Sequence, residues 1–379
     1  MDSSKDNKLL YLEGLRGLAA LVVVIYHLGN TFAISISEDI LEVLKIYLPV
    51  PILPTLIYSF VSIFLDGTLA VYIFWFMSAY VISIKLVKDN GRGYLYRSFI
   101  KRYFRLAIPV LGSVLFAYFL LKMDWMYNNE VAKILGSGYE NGWLGSFYDF
   151  DANIFIALKT AVWSTFFTEA VITYNASLWT MKPELHGSLF VFLLFGLCGT
   201  KQYRYGFYAV ISIIIFLSNE YWLLSFILGF WLSDIEHTES KYSLFLNKIA
   251  RFPVLNLFFL CVVIFLRTQY NYLVFFNVFT SAAIVLLIIK TTILQEFFNL
   301  AFFVWLGKIS FSLYLLHLPI ICSLTCFLYL NLSFETNITI LISIFITILS
   351  SFILSNIYTN YVDKFAIKFS HWIGIFFSK

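Results

Sequence analysis

In the stretch Gly14–His27, GLRGLAALVVVIYH, an arginine opens an apolar run and a histidine closes it eleven positions later. At about 100° per residue, eleven steps make three turns plus about 20°, so Arg16 and His27 share one helix face. They lie about 16 Å apart along the axis, at about 1.5 Å per residue. Imidazole is the side chain best placed to move protons near neutral pH, and ionisable groups inside apolar spans face cavities by default. Each residue also has a plainer reading: Arg16 as a snorkelling, positive-side anchor, and His27 as a packing histidine bonded to a neighbour.

Three further stretches carry the same kind of signal. In YRSFIKRYFRLAIP, Arg97, Lys101 and Arg105 are spaced i, i+4, i+8, with Arg102 beside them. Such a cluster either anchors the helix at the membrane border or cradles an anion, since guanidinium groups grip phosphate in a two-pronged fork. In SLWTMKPELHGSLF, Glu184 places a carboxylate inside an apolar run; it serves either as partner to a buried cation or as part of a site. In GKISFSLYLLHLP, His317 sits mid-run. Two intramembrane histidines, a carboxylate and a basic cluster together suggest a polar cavity through a helix bundle. The five histidines show no paired metal-ligand spacing, and no nucleotide-binding glycine loop or serine-hydrolase elbow is present, so no metal is expected and a pump or serine hydrolase is disfavoured.

These residues need helices to hold them. Of 379 residues, 60% are hydrophobic, 20% aromatic and only 13% charged, against roughly 25% charged in ordinary soluble domains. Runs of about 17–25 apolar residues read as transmembrane helices. The expected fold is an all-α, polytopic integral membrane helix bundle with about ten spans, near 16–35, 68–87, 104–122, 178–199, 205–219, 221–233, 253–267, 273–290, 309–330 and 337–358. The segment 53–66 is a candidate interfacial piece, and 123–177 is the one long polar interruption, with an amphipathic part at IFIALKTAVWSTFF. Lys and Arg crowd the loop 85–105 and recur at Lys201, Arg204, Lys241, Lys248 and Arg251, whereas Glu38, Asp39, Glu42, Asp124, Glu130, Glu140, Asp149 and Asp151 fill the intervening loops. This alternation puts both termini in the cytoplasm and 123–155 outside. The first apolar run lacks a small-residue cleavage site and reads as a retained helix. Cys198, Cys261, Cys322 and Cys326 read as small buried hydrophobes. The net charge of +4 is too small and scattered to suggest a nucleic-acid partner.

The ordered set of blocks resembles the membrane acyltransferase 3 family, from near residue 10 to about 365. LEGLRGLAALVVVIYH is similar to its first-helix Arg…His signature, and FWFMSAYVIS to its second-helix block with Ala79 in place of glycine. FIKRYFRLAIP resembles the Arg-Arg-x-x-Arg block with Lys101 in the first place; LWTMKPELHGS, ISFSLYLLHLP and NIYTNYVDKFAIKF, with Asp363, resemble the remaining blocks. The resemblance implies one transmembrane acyltransferase domain over 1–379, with no fused extracytoplasmic domain, in the plasma or inner membrane. It implies transfer of an acyl group, usually acetyl, from cytoplasmic acyl-coenzyme A (acetyl-CoA) to a hydroxyl of an envelope glycan, lipid-linked sugar or related acceptor. His27 would be the base or a transient acyl acceptor, with Glu184 and His317 completing the polar channel. Arg16, Arg102 and Arg105, with Lys101 in the same block, would hold the coenzyme.

One rival from another class uses the same charged cavity without making a bond: a transporter or flippase for a polar solute. Such proteins often carry repeat symmetry and paired broken half-helices, and neither is evident here.

Overall fold

The computed structural model describes residues 10–32, 52–88, 92–135, 142–168, 173–199, 201–238, 241–270 and 273–377. Glu38, Asp39, Glu42 and Glu140, used above to assign an outer face, lie outside the described residues. All regular structure among the described residues is helical. In chain order we label α1 (Leu10–Thr31), α2 (Ile52–Ile63), α3 (Gly67–Lys88), α4 (Arg92–Lys122), α5 (Asn128–Leu135), α6 (Ile154–Phe167), α7 (Ala176–Cys198) and α8 (Arg204–Leu217). Then follow α9 (Tyr221–His237), α10 (Lys241–Ile249), α11 (Pro253–Gln269), α12 (Phe275–Lys290), α13 (Thr292–Phe298), α14 (Ala301–Asn331) and α15 (Thr336–Phe376).

Six of these, α1, α3, the Leu95–Lys122 part of α4, α7, α14 and α15, are long and apolar enough to cross a membrane. The number rises to eight if the bent pairs α10–α11 and α12–α13 each count as one span. The expectation of about ten is thus met in part, and its shortest members explain the difference: α8 and α9 have 14 and 17 residues, about 21 and 25 Å of helix against a hydrocarbon core of about 30 Å.

The helix surfaces carry the membrane signature more plainly than their lengths. On α15, Leu341, Phe345, Leu349 and Ile353 are exposed, while Thr339, Ser343, Thr347, Ser351 and Ser355 form a buried stripe at i+4 spacing. A helix in water would show the reverse. In lipid, apolar side chains face outward, and small polar residues let helices approach and bond. Thr347 does so with Thr325 of α14, their hydroxyls 2.7 Å apart. Cys198, Cys322 and Cys326 are buried as expected, but Cys261 is exposed, because α11 turns that side to the surface.

Two expected boundaries move. The basic stripe does not precede the third span but lies within α4, which already begins at Arg92. The polar interruption is not wholly peripheral either, since α6 packs on α4 and Tyr103 donates to the Val162 carbonyl.

The tightest crossing is that of α1 with α14. A methyl group built on Gly17 would lie 2.4 Å from the Gly307 nitrogen, and one on Gly307 would lie 2.1 Å from the Glu13 carbonyl oxygen. Both obstacles are backbone, so only movement of a whole helix could relieve them. Gly17→Ala and Gly307→Ala should each lower the unfolding midpoint in detergent, with overpacking costing about 1–3 kcal/mol. This should outweigh the gain of up to about 1 kcal/mol from replacing a helical glycine. Gly206→Ala, where nothing lies within 4 Å, should leave the midpoint unchanged or raise it.

Candidate functional site

Close backbone approach at Gly17 and Gly307 holds α1 and α14 together, and further along both helices their two histidines lie side by side. His27 Nδ1 lies 3.0 Å from His317 Nε2. His317 is fully buried, and His27 is half-buried. The indole of Trp143, from the segment between α5 and α6, stacks on the His27 ring at 5.3 Å with 14° between planes. Trp143 is itself braced edge-on by Phe147 at 4.9 Å. Its segment is clamped from below by Asn128, buried on α5, which donates to the carbonyls of Leu144 at 3.0 Å and Phe147 at 2.7 Å.

Nearer the N-terminal end of α1 lies a cavity between α1, α3, α4, α7 and α14. Arg16, Ser78, Arg102, Arg105, Glu184 and Tyr314 supply most of its polar lining, and Phe74, Trp75 and Phe311 contribute aromatic wall. Arg102 is the most constrained of the cations. Its Nη2 donates to Glu184 and, at 2.8 Å, to Ser78, while its Nε donates to Ser188 at 2.8 Å. Ser78 in turn donates to Glu184 at 2.5 Å. A charge in an apolar bundle needs such pairing, since an isolated one is expensive. Arg105 forms a two-pronged pair with Asp363 at 2.5 and 3.2 Å and rests over the Phe311 ring at 5.4 Å. Among the described residues Arg16 pairs with Glu13 alone, one turn away at 3.2 Å, and it is the most exposed of the three arginines, at 34%.

Four of the seven residues singled out from sequence therefore meet in one cavity: Arg16, Arg102, Arg105 and Glu184. His27 and His317 meet each other beyond its inner end, where Tyr314 is both a cavity wall and the residue one turn below His317. Lys101 joins neither group. On α4 it flanks Arg105 on the side away from Arg102, and its stem packs where a side chain on residue 374 would sit, 2.5 Å from a methyl built on Gly374.

Sequence reasoning did not single out Ser78, Ser188, Thr180, Tyr314 or Trp143 as site residues. Lone hydroxyl residues in apolar runs carry no spacing signal, and only packing brings Trp143 over a histidine more than a hundred residues earlier in the chain. Asp363 was visible as an acidic residue in the final block, but not as the partner of Arg105.

Chemically, the cavity offers three guanidinium groups at one end, an aromatic and aliphatic wall, and a hydroxyl-lined floor at Tyr314 and Thr180. Past Tyr314 on α14 stands the His27–His317 imidazole pair. Among the described residues no group of three or more His, Cys, Asp or Glu side chains is placed to hold a metal ion. The family model for an acyltransferase domain, that of the acyltransferase 3 family, matches residues 9–356. No curated protein and no solved structure matches the chain.

Proposed function

The chain belongs to the acyltransferase 3 family, and from that premise we propose that it moves an acyl group, usually acetyl, from acyl-coenzyme A to a hydroxyl of an envelope glycan, lipid-linked sugar or related acceptor. The observation that carries this reading is the Arg-lined cavity whose wall residue Tyr314 lies one helical turn from His317 and its partner His27. An anionic donor with a long, uncharged arm fits that polarity. Its phosphates would meet Arg16 and Arg105, the cations with the more open side chains, and its arm would lie along Phe74 and Trp75 with the thioester toward Tyr314.

At the reacting end, His27 takes the proton of the acceptor hydroxyl as its oxygen attacks the thioester carbonyl carbon. The new C–O bond forms and the C–S bond breaks. The imidazolium then returns the proton to the departing thiolate, leaving free coenzyme thiol. A positioned acid–base group of this kind contributes about 10²–10⁴-fold. Arg102 and Glu184 fix the cavity wall, and Arg102 keeps the rest of its guanidinium toward the donor. Lys101, remote from the cavity, stays with the anchoring role of its helix.

The orientation follows the same logic. We read both termini as cytoplasmic, with α8, α9 and the two bent pairs completing ten spans in the plasma or inner membrane. The donor then enters from the cytoplasm beside Arg16, and the acceptor comes from the opposite side, past Trp143. Mass spectrometry of envelope glycans and lipid-linked sugars from cells with and without the gene tests the reading. Acyl esters present only with the gene support it, and identical acylation in both rejects it.

A further inference from the structure

We infer that His317 is a positioning residue that fixes the tautomer of His27, holding the proton on Nδ1 and leaving Nε2 as the nitrogen that can accept one. The chemical use of that nitrogen rests on the transferase reading above, but the tautomer follows from hydrogen bonds alone.

The chain of bonds starts on α14. His317 Nδ1 lies 2.7 Å from the carbonyl oxygen of Tyr314. A carbonyl oxygen can only accept, so the Nδ1 of His317 carries a proton. The ring's other partner is an imidazole and not a carboxylate. In a fully buried ring a second proton would make an uncompensated cation, which an apolar interior strongly disfavours. His317 is therefore neutral, and its Nε2 is an acceptor. The atom 3.0 Å away, His27 Nδ1, must be the donor. A neutral His27 then has no proton on Nε2.

The surrounding backbone holds this arrangement in place. Pro319 lacks an N–H, so in a regular helix the carbonyl four residues earlier, at Leu315, loses its partner. Asn175, buried at the start of α7, donates its Nδ2 to that carbonyl at 2.6 Å. The Tyr314 hydroxyl donates to the Ser177 carbonyl at 2.8 Å and also meets the Thr180 hydroxyl at 2.8 Å. The turn of α14 that presents the Tyr314 carbonyl to His317 is thus tied at two points to the turn opening α7. On the other side, Trp143 covers a face of the His27 ring. When His27 takes a proton, its Nδ1–H can stay bonded to a neutral acceptor. No second proton transfer is needed, and the ring keeps its orientation throughout. Outer partners that fix the tautomer of a working histidine commonly change its performance by about 10–100-fold when removed.

The test uses the full-length protein in lipid with isotope-labelled histidine. His186→Gln, His237→Gln and His371→Gln leave only the pair to be seen by solid-state nuclear magnetic resonance. Ring nitrogen and carbon shifts should show His27 protonated on Nδ1 and bare on Nε2. His317→Gln, whose side-chain oxygen can still accept, should keep that tautomer, whereas His317→Leu should move His27 toward the Nε2–H form. In a transfer assay His317→Leu should lower kcat by about tenfold or more with little change in KM for acyl-coenzyme A, and His317→Gln should lose less. A parent His27 protonated on Nε2 overturns the inference, as does an unchanged tautomer in His317→Leu. If the Leu variant does not fold, the parent and Gln spectra decide alone. The predicted tautomer in a protein that transfers no acyl group would defeat the transferase reading and leave the positioning intact.

Discussion

His27→Ala should insert and fold as the parent does but lose at least about 10²-fold in acyl transfer, the loss expected when a positioned acid–base group is removed. Folding survives because His27 is half-buried and its ring contacts are with Trp143, Tyr26 and His317, not with the α1–α14 crossing at Gly17 and Gly307. The truncation leaves His317 Nε2 without its donor, a smaller penalty than a stranded charge because an unpaired neutral acceptor costs about 1–3 kcal/mol. Thermal unfolding in detergent and the rate of coenzyme thiol release separate the two effects. A variant with a parental melting curve and near-parental transfer would remove His27 from the chemistry.

Glu184→Leu has the opposite profile, acting on the fold before the reaction. It removes the carboxylate that Arg102 pairs with and leaves a nearly buried guanidinium held, among the described residues, by Ser78 and Ser188. Breaking one side of a buried pair costs about 3–5 kcal/mol, whereas replacing both sides with apolar groups is often neutral. Glu184→Leu should therefore cut the yield of monodisperse protein and its melting temperature sharply. Arg102→Met combined with Glu184→Leu should recover most of that stability, yet still bind acyl-coenzyme A poorly, because one of three cavity arginines is gone. Arg102→Lys keeps the pair's charge but not the fork that reaches Ser188 and Ser78 together. It should fold and show a raised KM for the donor. If the double variant binds donor as the parent does, Arg102 is only a structural partner of Glu184.

Much of the helical framework could be read from the chain because membrane helices declare themselves locally. The eleven-residue interval between Arg16 and His27 fixes a shared face on α1 whatever surrounds it. The apolar runs fix where helices lie, to within a few residues. What the sequence left open depends on partners far along the chain. Glu184 meets Arg102 across 82 positions and Asp363 meets Arg105 across 258, and no periodicity within a helix encodes such a meeting. The same is true of Lys101, which shares a helical stripe with Arg105 while the cavity opens on the Arg102 side. Trp143 lay in a stretch with no regular pattern, and the Asn128 bonds to the neighbouring Leu144 and Phe147 carbonyls, with the Phe147 ring, hold it over His27. The end of α15 escaped for a different reason: a wide turn at Thr359–Asp363 carries the helix on to Phe376, where apolar periodicity had suggested a stop near 358. That continuation presents Asp363 to Arg105.

The most direct measurement reconstitutes the purified protein in vesicles with lipid-linked sugar acceptor inside and isotope-labelled acetyl-coenzyme A outside, sorting orientations by protease access to the N-terminus. In vesicles with the N-terminus outward, labelled acetyl should appear in ester linkage on the enclosed acceptor, with one coenzyme thiol released outside for each ester formed. Acceptor that crosses the membrane unlabelled, with no thiol released, would contradict the transferase and mark the protein as a carrier of polar solutes.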